Sequence, residues 1–428
     1  MSRILLVLLI AAAPLRAEGT IVNVEYPPSK EPGELRFGVT YTLWLPPDVK
    51  TLRGIIVHQH GCGTGACKGG ETAAHDLHWQ ALAAKWDCAL LGPSYHQKDG
   101  EDCQLWCDPR NGSRKAFLNS LTDLAAKTNH PELISAPWCL WGHSGGGVWA
   151  SIMMASDPDR IAAVWLRSGT AFGRKIGDRT LEYPDAAYKI PVVANPGALE
   201  KGDKRFGGLY DASFAMHAHF RGKNAPFAVA VDPKSNHDCG ESRYLAIPWF
   251  DACLKQRLPK QGTRLNDLDL NNGWLTSHDR EKLAAVPRFD GRSEEANWLP
   301  DETTARIWAE FTKTGTVGDT TPPPAPTKVR MENRALVWEC RADFESGLAG
   351  FIIEKDGREV ARLPEKVNTM QPRPLFQGKS YHDTPEATLP KMTWTPPGDG
   401  DYAIIAVNGA GLRSTPTKLE GSARGFRR

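Results

Sequence analysis

The sequence carries no surplus of charge of either sign: 52 Lys and Arg stand against 50 Asp and Glu in 428 residues. No electrostatic footprint for nucleic acid or an anionic membrane follows from that balance. There is no internal repeat. No apolar run is long enough to span a bilayer, the run Ile4 to Ala13 included, so no membrane insertion is expected. Cys62/Cys67 and Cys103/Cys107 lack the two-residue spacing of common zinc knuckles, and no metal site is expected.

What is present begins with Met1-Ser2-Arg3, the apolar run, and Pro14-Leu15-Arg16-Ala17, the layout of a secretory signal peptide over residues 1–17, cleaved near Ala17. No cysteine stands at the expected cleavage point, so no lipoprotein anchor is expected. The expected location is therefore secreted or periplasmic. Export lets the nine cysteines form disulfides, and Cys62, Cys67, Cys103, Cys107, Cys239 and Cys253 are the candidates for pairing. Cys88 and Cys139 sit in apolar strand-like runs and Cys340 lies far along the chain, so these three read as free thiols. An odd total leaves at least one cysteine without an intramolecular partner.

Hydrophobic periodicity divides the chain. Two alternating segments, Ile21 to Val24 and Leu35 to Leu45, predict an antiparallel strand pair. Buried strands are then expected at Gly54 to His58, Cys88 to Leu91, Pro137 to Trp141, Ile161 to Leu166, Ile190 to Ala194 and Phe227 to Val231. Helical spacing falls between them at Leu77 to Lys85, Ala116 to Ala126 and Val148 to Ala155. Such alternation implies an α/β fold, a mostly parallel sheet with helices on both faces. Residues 258–292 read as polar and irregular, and Glu295 to Lys313 as a helix; together they form a tail, to residue 315, packed back on the sheet. Thr320-Thr321-Pro322-Pro323-Pro324-Ala325-Pro326 closes a stiff linker over 316–326.

Beyond it, 327–428 reads as short strands, with Asp356-Gly357 a strong hairpin signal. The linker prolines, Trp338, and Tyr402-Ala403-Ile404-Ile405-Ala406-Val407-Asn408 followed by Gly409-Ala410-Gly411 make this half resemble a fibronectin type III sandwich. The segment Val367 to Met392 is longer than that pattern requires. Such a domain implies a spacer, removable beyond Pro326 without loss of small-ester turnover.

Chemistry concentrates at Gly142-His143-Ser144-Gly145-Gly146, which lies between an expected strand and an expected helix. The flanking glycines permit a sharp turn with the serine at its apex. His60-Gly61-Cys62-Gly63 follows the strand at Ile55, where small residues let backbone N–H groups face a substrate. With these two features residues 18–315 resemble the α/β-hydrolase family. The resemblance implies an oxyanion hole built by the N–H groups of Cys62 or Gly63 and of Gly145, and a triad in the order serine, acid, histidine. His237, in Ser235-Asn236-His237-Asp238-Cys239-Gly240 after the last expected strand, is the base. The acid falls on Glu200, a few residues after Gly197, with Asp203 as the alternative. His60, Tyr95, His96 and Trp106 are the expected substrate-binding residues, the aromatics suiting a sugar face or an aromatic acyl group.

The resulting expectation is an exported serine esterase without a cofactor. Its substrates would be acetyl, feruloyl or similar esters, with polymeric carbohydrate as the partner. Polyester depolymerisation and peptide hydrolysis use the same triad and remain open. A non-catalytic adhesion protein on a hydrolase scaffold is the reading from another class. The intact serine, histidine and glycine-rich loop weigh against it.

Overall fold

The computed structural model describes residues 19–64, 69–176, 179–367, 373–379, 383, 385 and 390–420. The expected signal peptide, Cys67 and parts of the long 367–392 segment lie outside them.

Strands β1 (Thr20–Tyr26), β2 (Val39–Leu45), β3 (Gly54–Gln59), β4 (Cys88–Tyr95), β5 (Trp138–His143), β6 (Ile161–Arg167), β7 (Val192–Asn195) and β8 (Phe227–Val229) form one sheet. Their spatial order is β1-β2-β4-β3-β5-β6-β7-β8. The β1–β2 and β2–β4 pairs are antiparallel and the remaining pairs parallel. Strands β3 to β8 are buried along their whole length, which is why they read as apolar runs and not as alternation.

The crossovers carry α1 (Gly69–Ala73), α2 (Leu77–Lys85), α3 (Gln104–Cys107), α4 (Ser113–Thr128), α5 (Gly145–Ser156), α6 (Gly207–Arg221) and α7 (Arg243–Arg257). Two hydrophobic cores cover the two faces. One gathers Phe117, Trp138, Trp149 and Phe220, the other Trp79, Trp141, Trp165 and Trp249. This is a mostly parallel α/β fold, and its strand order fits an α/β hydrolase. No helix among the described residues is long and apolar enough to cross a membrane.

The tail departs from expectation. Instead of irregular chain it forms a small antiparallel sheet of β9 (Trp274–Thr276), β10 (Leu283–Ala285) and β11 (Asn297–Leu299), followed by α8 (Glu302–Thr314). Trp298 therefore belongs to a strand, and the helix starts only where Asp301 caps it by accepting from Thr304 N. Asn297 Oδ1 accepts from Val229 N and Trp308 Nε1 donates to Val229 O, which fixes the tail to the sheet edge.

Past the prolines lie two antiparallel sheets with a shared core. The first joins β12 (Thr327–Glu332), β13 (Ala335–Glu339) and β16 (Thr393–Trp394). The second joins β14 (Leu348–Lys355), β15 (Arg358–Leu363), β17 (Tyr402–Asn408) and β18 (Thr417–Lys418). At the β14–β15 turn Asp356 and Gly357 both have positive φ, 51° and 78°, as a two-residue type I′ hairpin requires.

This half is not a free spacer in the structure. Arg243, at the start of α7, bonds Asp76 (Nη2–Oδ2 2.8 Å) and Asp383 (Nη2–Oδ1 2.8 Å), and Lys379 Nζ bonds Asp76. Around this ionic cluster Leu77 N donates to Gln377 Oε1 and His78 Nε2 to Phe344 O.

Candidate active site

The elbow is built by local sterics. Ser144 sits between β5 and α5 with φ 53° and ψ −117°, a backbone state costly for a residue with a Cβ. It is tolerated because its surroundings lock it in: Ser144 N donates to Arg167 O, and Val148 N to Ser144 O. Close packing also demands glycine at 146, where a Cβ would stand 2.2 Å from Gln59 O. The hydroxyl is thereby raised at the carboxyl edge of the sheet.

Its partner arrives from the loop after β8. His237 Nε2 lies 2.8 Å from Ser144 Oγ, and His237 Nδ1 lies 2.6 Å from Glu200 Oε1. With Nδ1–H donating to the carboxylate, Nε2 is left to accept the serine proton. Glu200 is completely buried, and its second oxygen accepts from Ser168 Oγ and Gly197 N, both at 2.8 Å. A buried carboxylate with every near donor satisfied holds one orientation. Asp203, the alternative acid, instead accepts from the N–H groups of Arg205 and Phe206 and caps its own turn.

Three further residues complete the site, and nothing local in the sequence marks them. Arg167 is fully buried and donates to the carbonyls of Asn236 (3.1 Å) and Asp238 (2.7 Å), so it grips the chain on both sides of His237. Ser168 is the donor to Glu200. Phe206 stacks on the imidazole of His237, with ring centroids 3.6 Å apart and planes within 6°. The stack limits rotation of the ring.

On the oxyanion side, Gly145 opens α5 directly beside the disulfide Cys62–Cys103: a Cβ on Gly145 would meet Cys62 Sγ at 2.4 Å. The loop bearing Cys62 thus packs directly against Gly145 and Ser144. Gly63 departs from its expected role, since its N–H donates to Gln97 Oε1 at 3.3 Å.

The other pairing candidates differ from expectation too. Cys107 and Cys253 are free buried thiols, and Cys239 is buried with Sγ 4.0 Å from His60 Nδ1. Cys88 and Cys139 are free and buried, and Cys340 is free.

The expected substrate contacts also need correction. His60, Tyr95 and Trp106 are fully buried and present no surface to a substrate. His60 is held by His58, Nε2 to Nδ1 at 3.0 Å, and Trp106 stacks on Tyr95 and donates its indole N–H to Gln97 Oε1. Only His96 is exposed, bonded to Thr40 Oγ1. A cavity of about 620 Å³ lies elsewhere, lined by Leu77 and Ala81 of α2, Lys328, Cys340 and Met392.

No family model matches the chain, and no curated protein matches it. Among solved structures it is similar to poly(aspartic acid) hydrolase-1 from Sphingomonas sp. KT-1, at 14% identity over 52% of this chain and 94% of that one, TM-score 0.38. A ferulic acid esterase aligns at 14% identity over 56% and 96%, TM-score 0.39. An S-formylglutathione hydrolase from Agrobacterium tumefaciens aligns at 12% over 56% and 95%, TM-score 0.38. Likeness at that level carries neither activity nor substrate, and the chemistry rests on the geometry above.

Proposed function

We propose that the protein is a serine hydrolase of carboxylic esters. The observation that carries this reading is the unbroken hydrogen-bond chain from Ser144 through His237 to a fully buried Glu200. Ser144 Oγ attacks the ester carbonyl while His237 Nε2 takes its proton, and Glu200 steadies the imidazolium that results. The N–H groups of Gly145 and Cys62 receive the negative oxygen. Collapse expels the alkoxide, which takes from His237 the proton that Ser144 gave up. Water, deprotonated by the same nitrogen, then attacks the acyl-enzyme and frees the acid and Ser144. None of these steps calls on a cofactor.

Polysaccharide-borne esters, acetyl, feruloyl or similar, are the proposed substrates, and outside the cytoplasm is the proposed location. The export-type N-terminus and the appended β half support both. A fibronectin-like identity for that half is supported by Trp338 in its core and by Tyr402, whose hydroxyl donates to Gly398 O four residues upstream at the start of β17.

The test is release of p-nitrophenol from short acyl esters. Ser144→Ala should lower kcat/KM by about 10,000-fold or more while the fold is kept. Equal rates in the two proteins would refute the reading.

A further inference from the structure

Directly behind the elbow, three side chains with metal-ligating atoms meet. One nitrogen each of His60 and His143 and the Sγ of Cys239 lie within 4.8 Å of one another, and all three residues are buried. Each belongs to a different catalytic element. His60 leads into the Gly61-Cys62-Gly63 loop, His143 is the last residue of β5 before Ser144, and Cys239 lies two residues past His237.

The geometry points to a binding site for one thiophilic d10 cation, zinc(II) or copper(I), held by His60 Nδ1, His143 and Cys239 Sγ. The 4.0 Å between His60 Nδ1 and Cys239 Sγ approaches the separation of two ligands on one such ion, with metal–nitrogen bonds near 2.0 Å and metal–sulfur bonds near 2.3 Å. His60 is also oriented as a ligand would be. Its Nε2 is bonded to His58 Nδ1 at 3.0 Å, and His58 is itself stacked on Trp141 with centroids 4.0 Å apart. A second partner on the far nitrogen is the usual means of fixing a ligating imidazole. On its other side the ring is wedged by α1, where a Cβ on Gly69 would stand 2.2 Å from His60 Cγ. Two imidazoles and one thiolate select soft or borderline ions over magnesium or calcium.

Binding exchanges the Cys239 proton for the metal, Cys–SH becoming Cys–S⁻–M with release of H⁺. The ion touches no reacting atom. It pins together the oxyanion loop, the nucleophile strand and the base loop, which no covalent link joins at that point. Copper(I) suits three donors and one compensating negative charge in a dry site; zinc(II) takes a water as fourth ligand.

The full chain, stripped by chelator, is loaded separately with zinc(II) and, under anaerobic conditions, with copper(I). Metal content is then measured after gel filtration, and neighbours of the ion are read by X-ray absorption. About one ion per chain, with one sulfur and two nitrogen neighbours, is expected in at least one arm. Cys239→Ser should lose the sulfur shell and weaken binding at least about 100-fold, with circular dichroism confirming the fold. If that variant does not fold, the wild-type neighbour shell decides: one sulfur with two nitrogens supports the site, any other set overturns it. Binding below about a tenth of an equivalent in both arms overturns the proposal, as does a sulfur shell that survives in folded Cys239→Ser. Metal content is read without turnover, so this result is separate from that of the ester assay.

Discussion

Two buried ionic clusters organise this molecule, and they differ in closure. Around Arg243 every member is buried: Asp76 and Asp383 are 1% exposed, Arg243 not at all, and Lys379 3%. Two positive groups there face two negative ones. Around Glu200 a single carboxylate is enclosed, and its chain of hydrogen bonds runs through His237 to a partly exposed, uncharged hydroxyl. A balanced, sealed cluster has nowhere to pass a proton and can only hold structure. An unbalanced one that opens at a hydroxyl stabilises positive charge on its histidine when a proton arrives. The distinction matters because both sets would read alike as scattered polar residues.

The sharpest way to break the comparison is to remove the central charge of each cluster and ask which property falls. Glu200→Gln keeps shape and some hydrogen bonding but removes the charge and the acceptor that hold the His237 tautomer. A fall of about 10,000-fold in kcat is expected, with a denaturant midpoint close to that of the parent. A fall below about tenfold would rule Glu200 out as the acid of the proposed triad. Arg243→Met should do the opposite. It leaves Asp76 and Asp383 facing each other with only Lys379 between them, at a cost of about 3–5 kcal/mol in urea unfolding. Residues beyond Pro326 should become sensitive to protease at the same time. Burial opposes ionisation of Asp76, but Arg243 and Lys379 together outweigh it and hold its carboxyl well below the usual range. Arg243 has the stronger influence of the two on Asp76, so removing it is the severe perturbation. Unchanged stability would mean that the β half is a detachable spacer after all.

The same contrast explains what was legible in the sequence. The elbow could be read because its determinants are local: an apolar strand, close-packed glycines and a helix within about twenty residues. Glu200 and His237 could be placed because each follows a recognisable strand. Arg167, Ser168 and Phe206 could not, since their roles arise from bonds or stacking across 31 to 71 positions. Lys379 and Asp383 sit in a polar stretch that suggests a solvated loop, and only their contacts with Asp76 and Arg243 make them interior. His60, Tyr95 and Trp106 misled for the converse reason. Polar or amphipathic side chains suggest a pocket lining, yet His58 and Gln97 satisfy two of them inside the core. Strands β9 to β11, three residues each, are too short for any periodicity to show.

The smallest effect expected lies between the two clusters. Glu241 stands four residues from His237 and two from Arg243, its N–H donating to Asp232 Oδ2. Burial, with Asp232 and Asp383 nearby, pushes its carboxyl up to about 8. The sign follows from linkage: a group with a raised folded-state pKa contributes stability that is complete below its unfolded value, near 4.5, and lost as pH rises through about 8. Between those limits the unfolded chain has released a proton that the folded chain keeps. Glu241→Gln removes that proton, so the parent's decline from pH 5 to pH 8.5 should flatten. Because Glu241 retains some exposure, the difference is expected to be only on the order of 1 kcal/mol in favour of the variant at pH 8.5. Urea unfolding of both proteins at the two pH values measures it. A parallel pH dependence in parent and variant would show that Glu241 is ionised in the folded state. Negative charge would then extend from the sealed cluster towards the base loop, and the two clusters would no longer be electrostatically separate.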